Sequence, residues 1–161
     1  MRPRVWLFGD NIDTDVIFPG KYTYTVSDPE EMARHALEDL DPTFAKTVRE
    51  GDIIVGGKNF GCGSSREQAA FALKYAGVSG LVARSFARIF FRNAINAGLA
   101  AIEHPECVDA IRRDSRVAID LLRNIITVDG NEFSFPPFPE QVIQLLNEGG
   151  LVEHVRKMLQ T

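Results

Sequence analysis

Residues 52–67 decide the fold, and they read Asp-Ile-Ile-Val-Gly-Gly-Lys-Asn-Phe-Gly-Cys-Gly-Ser-Ser-Arg-Glu. The apolar run at 52–55 follows a charged turn and predicts a buried strand. A glycine-rich stretch comes directly after it, and the mostly apolar residues 66–76 predict a helix that ends at Gly77. The sequence therefore predicts a strand, a glycine-rich turn and a helix in immediate succession.

The same alternation continues along the chain. Residues 81–83 predict a second strand, Ser85 is a candidate cap for a helix that runs to about Ala97, and residues 99–102 predict a third strand. Strands that alternate with helices are typical of α/β folds, in which the strands pair in parallel. We therefore expect an α/β fold with at least partly parallel pairing.

The flanking segments carry weaker patterns. Residues 5–8 predict a short strand, and residues 27–31 start a helix whose apolar spacing reaches Leu40, with His35 on its solvated side. Turn signals separate three short strands that predict an antiparallel meander: 117–120, 125–128 and 132–135. We predict one domain over residues 1–161, with C-terminal helices at about 139–160.

Composition excludes several classes of protein. The chain has 161 residues and a net charge of −4, which argues against a general nucleic-acid binder. Two cysteines are too few for a disulfide scaffold, for a structural zinc site or for an iron–sulfur cluster, so we expect no metal on this chain. Without an apolar signal segment or a membrane span, the sequence predicts a cytoplasmic protein.

The glycine-rich turn is the main candidate site. Backbone N–H groups and the helix dipole favour an anion between a strand and a helix. The pair Gly61 and Gly63 is followed by Ser-Ser-Arg, so the turn matches neither a dinucleotide fingerprint nor a phosphate-binding loop. Two glycines, two hydroxyls and an arginine instead suit a carboxylate ligand.

Structural interpretations compete with functional ones in this turn. Ser64 and Glu67 have the spacing of a capping box, so Ser64 is either a helix N-cap or a functional hydroxyl. Cys62 is either a nucleophile or a spacer, and no nearby histidine and aspartate support the nucleophile.

Two other polar patterns also stay open. Arginines at 84, 88 and 92 recur every four residues and form either a solvated stripe or a partner-facing one. The acidic residues at 10, 13 and 15 resemble a calcium loop weakly, because its glycine and later bidentate glutamate are missing. A loop that positions a substrate or partner group is the stronger interpretation.

Three segments in the right order, 10–20, 57–67 and 85–93, resemble the small subunits of isopropylmalate isomerase and homoaconitase. These form the swivelling domain of the aconitase superfamily. The resemblance implies a β/β/α domain, with a mixed sheet flanked by helices and a C-terminal helical tail. It also implies a large-subunit partner that carries a 4Fe–4S cluster.

The implied reaction is that of a hydro-lyase. Water leaves a hydroxy-dicarboxylate and returns in the other orientation, which interconverts 2- and 3-isopropylmalate in leucine biosynthesis. By resemblance, Ser64 is the serine base, Ser65 and Arg66 hold a substrate carboxylate, and Thr14 and Asp15 belong to the active-site loop. Positions Arg88 and Asn93 are structural in this comparison, and Cys62 is not essential.

The resemblance also assigns a substrate-reading segment, which consists of Lys21, Tyr22, Thr23, Tyr24 and Thr25. Homoaconitase-like specificity is expected to place an arginine there for an extra carboxylate, and the segment has none. Its tyrosines and threonines suit an alkyl group of the substrate. Lys21 is basic, so a substrate with a third carboxylate stays an alternative. Thr23→Arg or Tyr24→Arg is therefore expected to favour the tricarboxylate.

Two alternatives accompany this prediction. One is a related dehydratase that acts on homoaconitate or a methyl-substituted malate. The other is a non-enzymatic anion-binding module, which the paired serine and arginine at 64–66 disfavour.

Overall fold

Four parallel strands form the central sheet of the computed structural model, which describes residues 3–160. They pair in chain order: β1 (Val5–Leu7), β2 (Ile53–Gly56), β3 (Gly80–Ala83) and β4 (Ala100–Glu103). Parallel neighbours need long crossovers, and helices form most of these connections. This confirms the α/β class. Residues 1, 2 and 161 of the predicted single domain lie outside the described residues.

The helices are short. They are α1 (Thr14–Ile17), α2 (Pro29–Arg34), α3 (Phe44–Thr47), α4 (Glu67–Tyr75), α5 (Arg88–Asn96), α6 (Pro105–Ala110), α7 (Glu140–Glu148) and α8 (Leu151–Leu159). A single 3-10 turn, Gly20–Tyr22, precedes α2. Within residues 3–160, no helix is long and apolar enough to cross a membrane.

A separate antiparallel sheet follows, with β5 (Val117–Asp120), β6 (Ile125–Val128) and β7 (Asn131–Ser134) in that order. Asp129 and Gly130 have φ of 50° and 87° between β6 and β7, as a tight hairpin turn requires. The predicted meander is confirmed. The sequence predicts a mixed sheet, whereas in the structure the parallel strands and the antiparallel strands form two separate sheets.

The parallel sheet lies between two apolar layers. Successive residues of a strand point to opposite faces. Accordingly, Ile54 packs with the helices, whereas Ile53 and Val55 pack with residues of the antiparallel sheet such as Ile126. The order of layers is therefore helices, parallel sheet and antiparallel sheet.

Two predicted helix boundaries are wrong. The helix expected from Ser85 begins at Arg88, because the Ser85 hydroxyl accepts a hydrogen bond from Asn59 N (2.8 Å) and does not cap. Helix α2 stops at Arg34, well before Leu40. Leu37 has a φ of 56° and donates its N–H to Ile17 O (2.8 Å), so a long-range contact overrides the helical spacing.

Candidate functional site

The loops after β1, β2 and β3 meet beyond the carboxyl ends of the parallel strands, where α/β sheets bind ligands. Gly61 N donates to Ile12 O (2.7 Å), and Thr14 N donates to Cys62 O (2.8 Å). These bonds extend the parallel pairing past the strands. They place the acidic loop 10–15 against the glycine-rich turn.

Two glycines let the turn pack closely against the acidic loop and against α5. Gly63 has a φ of 95°, and a Cβ there would lie 2.5 Å from the Asp13 carboxylate. Gly61 has a φ of 84°, and a Cβ there would lie 2.1 Å from the Phe90 ring. A larger residue at Gly63 would push the turn away from the acidic loop, and one at Gly61 would push it away from α5, so the glycines set the position of the serines that follow.

Ser64 does not cap α4, and the capping interpretation is wrong. The N-cap is Arg66, which has an extended backbone and makes no side-chain capping bond. The Ser64 carbonyl accepts from Thr14 Oγ1 (2.7 Å) and from Arg66 N (3.0 Å). Its exposed hydroxyl has no hydrogen-bond partner within residues 3–160. The hydroxyl is therefore available to a ligand.

The amides beside this hydroxyl are available too. Across residues 3–160, the N–H groups of Ser64 and Ser65 donate to no protein acceptor. Both serines are exposed and immediately precede α4, where further N–H groups lack helical partners. The turn therefore offers several donors to an anion such as a carboxylate.

Arg66 connects the turn to the acidic loop and to the substrate-reading segment. Its Nη2 donates to Asp15 Oδ1 (3.1 Å), and its Nη1 donates to Thr23 Oγ1 (3.2 Å). Its buried Nε has no protein partner among the described residues. The Arg66 guanidinium thus joins Asp15 and Thr23, while the Arg66 backbone N–H binds the Ser64 carbonyl, so these predicted site residues lie in a single region.

Asp15 is ionised in this arrangement. The Gly20 N–H, which donates to Asp15 Oδ1 (2.6 Å), and then the Arg66 guanidinium lower the pKa of the Asp15 carboxyl below its ordinary value. A Cβ on Gly20 would lie 2.7 Å from that oxygen, so a larger residue there would displace the Asp15 carboxylate. Asp15 therefore neutralises part of the charge of the Arg66 guanidinium.

The five residues of the substrate-reading segment lie in three environments. Thr23 faces Arg66, while the Tyr24 side chain is 98% exposed and Thr25 is exposed as well. Lys21 and Tyr22 contact Glu38 on another side. The structure therefore brings Thr23 to the site and leaves Tyr24 free for an external partner.

His35 and Glu38 both contact Tyr22, which the sequence did not predict. His35 was expected to be solvated, but its ring stacks on Tyr22 with 3.9 Å between centroids. Glu38 accepts a hydrogen bond from the Tyr22 hydroxyl (2.7 Å). The spacing of His35 and Glu38 by three residues was the available signal, and it indicates only that the two are neighbours.

The acidic loop is organised by backbone contacts. Asp10 Oδ1 accepts from Lys58 N (2.7 Å), and Asp13 Oδ1 accepts from Asp15 N (2.7 Å) as the cap of α1. In residues 3–160, no group of three or more His, Cys, Asp and Glu side chains lies close enough to hold a metal ion. The carboxylates of Asp10 and Asp13 thus hold the backbone of the loop and of the glycine-rich turn, as the positioning interpretation expects.

The two cysteines are far from forming a metal site. Cys62 is half-buried in the glycine-rich turn, whereas Cys107 is fully buried in the core between the sheets. Burial raises the pKa of the Cys107 thiol to about 11, so that it is protonated at neutral pH. The cysteines of this chain therefore do not fit an iron–sulfur cluster.

The arginines at 84, 88 and 92 lie in different environments. Arg84 forms an ion pair with Asp109, while Arg88 and Arg92 are exposed on α5. The latter two make no side-chain ion pair within residues 3–160. They are compatible with either a solvated or a partner-facing surface.

Known proteins are similar to this chain in both sequence and fold. The chain is 51% identical over 161 residues to a 3-isopropylmalate dehydratase small subunit from Aquifex aeolicus, covering 98% of this chain and 95% of that one. It is 52% identical over 165 residues to a methanogen homoaconitase small subunit from Methanothermobacter thermautotrophicus, covering 100% and 94%. Substrate identity therefore does not follow from overall similarity.

The structural comparison agrees. The crystal structure of a 3-isopropylmalate dehydratase (leuD) from Methanocaldococcus jannaschii superposes with a TM-score of 0.87 at 44% identity, covering 98% of this chain and 95% of that one. Residues 9–107 match the Aconitase C-terminal domain family. The predicted resemblance is confirmed, and the chain belongs to the Aconitase C-terminal domain family.

Proposed function

We propose that this chain is the cytoplasmic small subunit of a hydro-lyase that interconverts 2- and 3-isopropylmalate in leucine biosynthesis. One observation carries the proposal. The free hydroxyl of Ser64 and the unpaired amides of Ser64 and Ser65 lie beside Arg66 at the carboxyl edge of the parallel sheet. Such a set provides a proton acceptor next to donors for a carboxylate.

Each residue of the site has its own role in the proposed reaction. Ser64 Oγ, as the alkoxide, takes the proton from the substrate carbon and keeps it as the Ser64 hydroxyl, so an acid on the partner subunit must supply the proton with which the substrate hydroxyl leaves as water. Arg66 and the amides at 64–65 hold a carboxylate of the dicarboxylate substrate. Thr14 fixes the Ser64 carbonyl, and Asp15 orients the Arg66 guanidinium.

The alkoxide needs more stabilisation than α4 supplies. A helix N-terminus contributes about 0.3–1 kcal/mol, and one pKa unit corresponds to about 1.4 kcal/mol. Ser64 also lies upstream of the N-cap, where the dipole is weaker. The remaining stabilisation must come from Arg66, from the amides and from charged groups across an interface.

A large subunit completes the enzyme in this proposal. It carries the 4Fe–4S cluster, which the two cysteines of this chain are too few to bind. The cluster supplies a Lewis acid for the leaving hydroxyl. The small subunit contributes the base and the carboxylate donors, so neither subunit suffices alone.

Assembly tests the proposal. We expect the purified chain to be colourless and inactive, because it has neither a cluster nor a complete site. Mixing it with a cluster-bearing large subunit under anaerobic conditions should restore the dehydration of isopropylmalate. Spectrophotometry of the dehydrated product measures this, and activity of the isolated chain at the rate of the complex would refute the proposal.

A homoaconitase small subunit is the second candidate, favoured by the 52% identity to the methanogen protein. Against it, residues 21–25 contain no arginine, and Lys21 lies 3.9 Å from Glu38. Dehydratases of methyl-substituted malates also fit an alkyl-reading segment. A non-enzymatic anion-binding module is disfavoured by the free Ser64 hydroxyl beside Arg66.

Tyr24→Arg tests this choice of substrate. We expect the wild-type complex to prefer 3-isopropylmalate over homoisocitrate in kcat/KM, and Tyr24→Arg to move that ratio toward homoisocitrate, since arginine pairs with the extra carboxylate. Tyr24 is the better position, because Thr23→Arg would face a second guanidinium at Arg66. A wild-type preference for homoisocitrate would favour the second candidate.

A further inference from the structure

The first two residues of the substrate-reading segment form a cluster with two residues that follow α2: Lys21, Tyr22, His35 and Glu38. The Tyr22 hydroxyl donates to Glu38 Oε1 (2.7 Å), and His35 Nδ1 lies 2.7 Å from Glu38 Oε2. The Tyr22 and His35 rings stack at an interplanar angle of 20°. Each oxygen of one carboxylate therefore fixes one member of a stacked pair.

Glu38 also forms an ion pair with Lys21, the residue for which the sequence left binding of a third substrate carboxylate open. Lys21 Nζ lies 3.9 Å from Glu38 Oε1 and 5.1 Å from the centroid of the Tyr22 ring. The Glu38 side chain is 25% exposed, whereas that of Lys21 is 65% exposed. A half-buried carboxylate thus anchors an otherwise mobile cation on the tyrosine ring.

Contacts on two sides therefore hold the substrate-reading segment in place. Thr23 accepts a hydrogen bond from Arg66 at the glycine-rich turn, while Lys21 and Tyr22 bind Glu38. Without Glu38, Tyr22 would lose its hydroxyl partner and Lys21 its counter-charge. Thr23 would then keep its hydrogen bond from Arg66 and its backbone bond to Gly20 O (3.1 Å), but it would lose the support that Glu38 gives to the two residues before it.

The protonation states fit this arrangement. Partial burial raises the pKa of Glu38, but hydrogen bonds from His35 and Tyr22 lower it more, so that the pKa lies below its ordinary value. The hydrogen bond to Glu38 is the main cause that raises the pKa of the Tyr22 phenol. At neutral pH a carboxylate therefore faces a protonated phenol.

Resting on the function proposed above, we propose that Glu38 is a positioning residue that makes the site selective against an extra carboxylate. It holds Tyr22 in place and keeps Lys21 from pairing with a negatively charged substrate side group. The alkyl preference of the segment then depends on Glu38 as well as on the absence of arginine.

Kinetics of the assembled enzyme test this role. Glu38→Gln should raise KM for 3-isopropylmalate with little change in kcat, and should shift the kcat/KM ratio toward homoisocitrate by about fivefold, the size of a strong exposed ion pair. The double variant Glu38→Gln/Lys21→Met should lose that shift toward homoisocitrate. Asp39→Asn removes a charge from an exposed neighbour and should match the wild type.

A second measurement needs no activity. In the isolated chain carrying Tyr24→Phe and Tyr75→Phe, Tyr22 is the remaining tyrosine of the three. Adding Glu38→Gln should lower the pH at which its ultraviolet absorbance changes, because the phenol loses its carboxylate partner. An unchanged titration would overturn the Glu38 contact.

The outcomes separate the two proposals. A wild-type complex that dehydrates neither substrate refutes the proposed function, and the selectivity role of Glu38 falls with it. An active complex whose substrate ratio is the same in wild type and Glu38→Gln refutes this inference alone. A ratio shift that persists in the double variant refutes the part assigned to Lys21.

Discussion

Ser64→Ala and Ser64→Gly should abolish most turnover of the assembled enzyme while leaving the subunit folded. Loss of a positioned proton acceptor costs on the order of 100- to 10,000-fold in kcat. KM should change modestly, because the proton transfer belongs to the transition state. Steady-state kinetics on the reconstituted complex measure this loss.

Stability should hardly change in the same variants. The Ser64 hydroxyl makes no capping bond, so Ser64→Ala should alter the free energy of unfolding by less than about 0.5 kcal/mol. Ser64→Gly adds backbone freedom to the unfolded chain and should cost up to about 1 kcal/mol. Thermal melting and gel filtration with the large subunit check folding and docking.

Ser27→Ala is the matched control, because Ser27 is exposed and lies far from the glycine-rich turn in sequence. It should retain the wild-type kcat. A Ser64→Gly complex that keeps more than a small fraction of wild-type kcat would leave the chain without an identified base. Proton abstraction would then belong to a residue of the large subunit.

Arg66→Gln should raise KM strongly. Removing one member of a hydrogen-bonded charge pair costs about 2–5 kcal/mol, so kcat/KM should fall on the order of 100-fold. The fall should appear mainly in KM, since the substrate carboxylate is bound in both the ground and the transition state. Arg66→Lys should recover part of the loss, because it retains the charge but not the planar fork.

The fold should tolerate Arg66→Gln. Asp15 is 67% exposed at its side chain, and a surface ion pair of this kind contributes about 0–1 kcal/mol. Arg116→Gln is the control, since Arg116 is exposed just before β5. Unchanged KM in Arg66→Gln would assign the substrate carboxylate to groups outside this chain.

Local patterns predicted the elements that local physics governs. An apolar run before glycines, and then an apolar helical stretch, identified β2 and α4 because burial and backbone freedom are encoded within a few residues. The three motifs at 10–20, 57–67 and 85–93 identified the family, which the comparisons confirm. That residues 1–161 form one domain stays a prediction, as do the roles of the site residues.

The short helices escaped prediction for a physical reason. Helices α1, α3 and α6 have four to six residues, too few to show a 3.6-residue repeat. Tertiary contacts stabilise them: Thr14, in α1, and Phe44, in α3, are buried. Such elements follow from packing and not from propensity.

The sequence by itself determined the fold class and the family, whereas anion binding by the glycine-rich turn stays a prediction. Only the tertiary structure decided that Ser64 is no cap, because that depends on the backbone at Arg66 and on a bond to Thr14, 50 residues away. The contact of Arg66 with Asp15 spans 51 residues, and that of Tyr22 with Glu38 spans 16. Such contacts depend on the register of parallel strands and on how helices cross them, which no local pattern encodes.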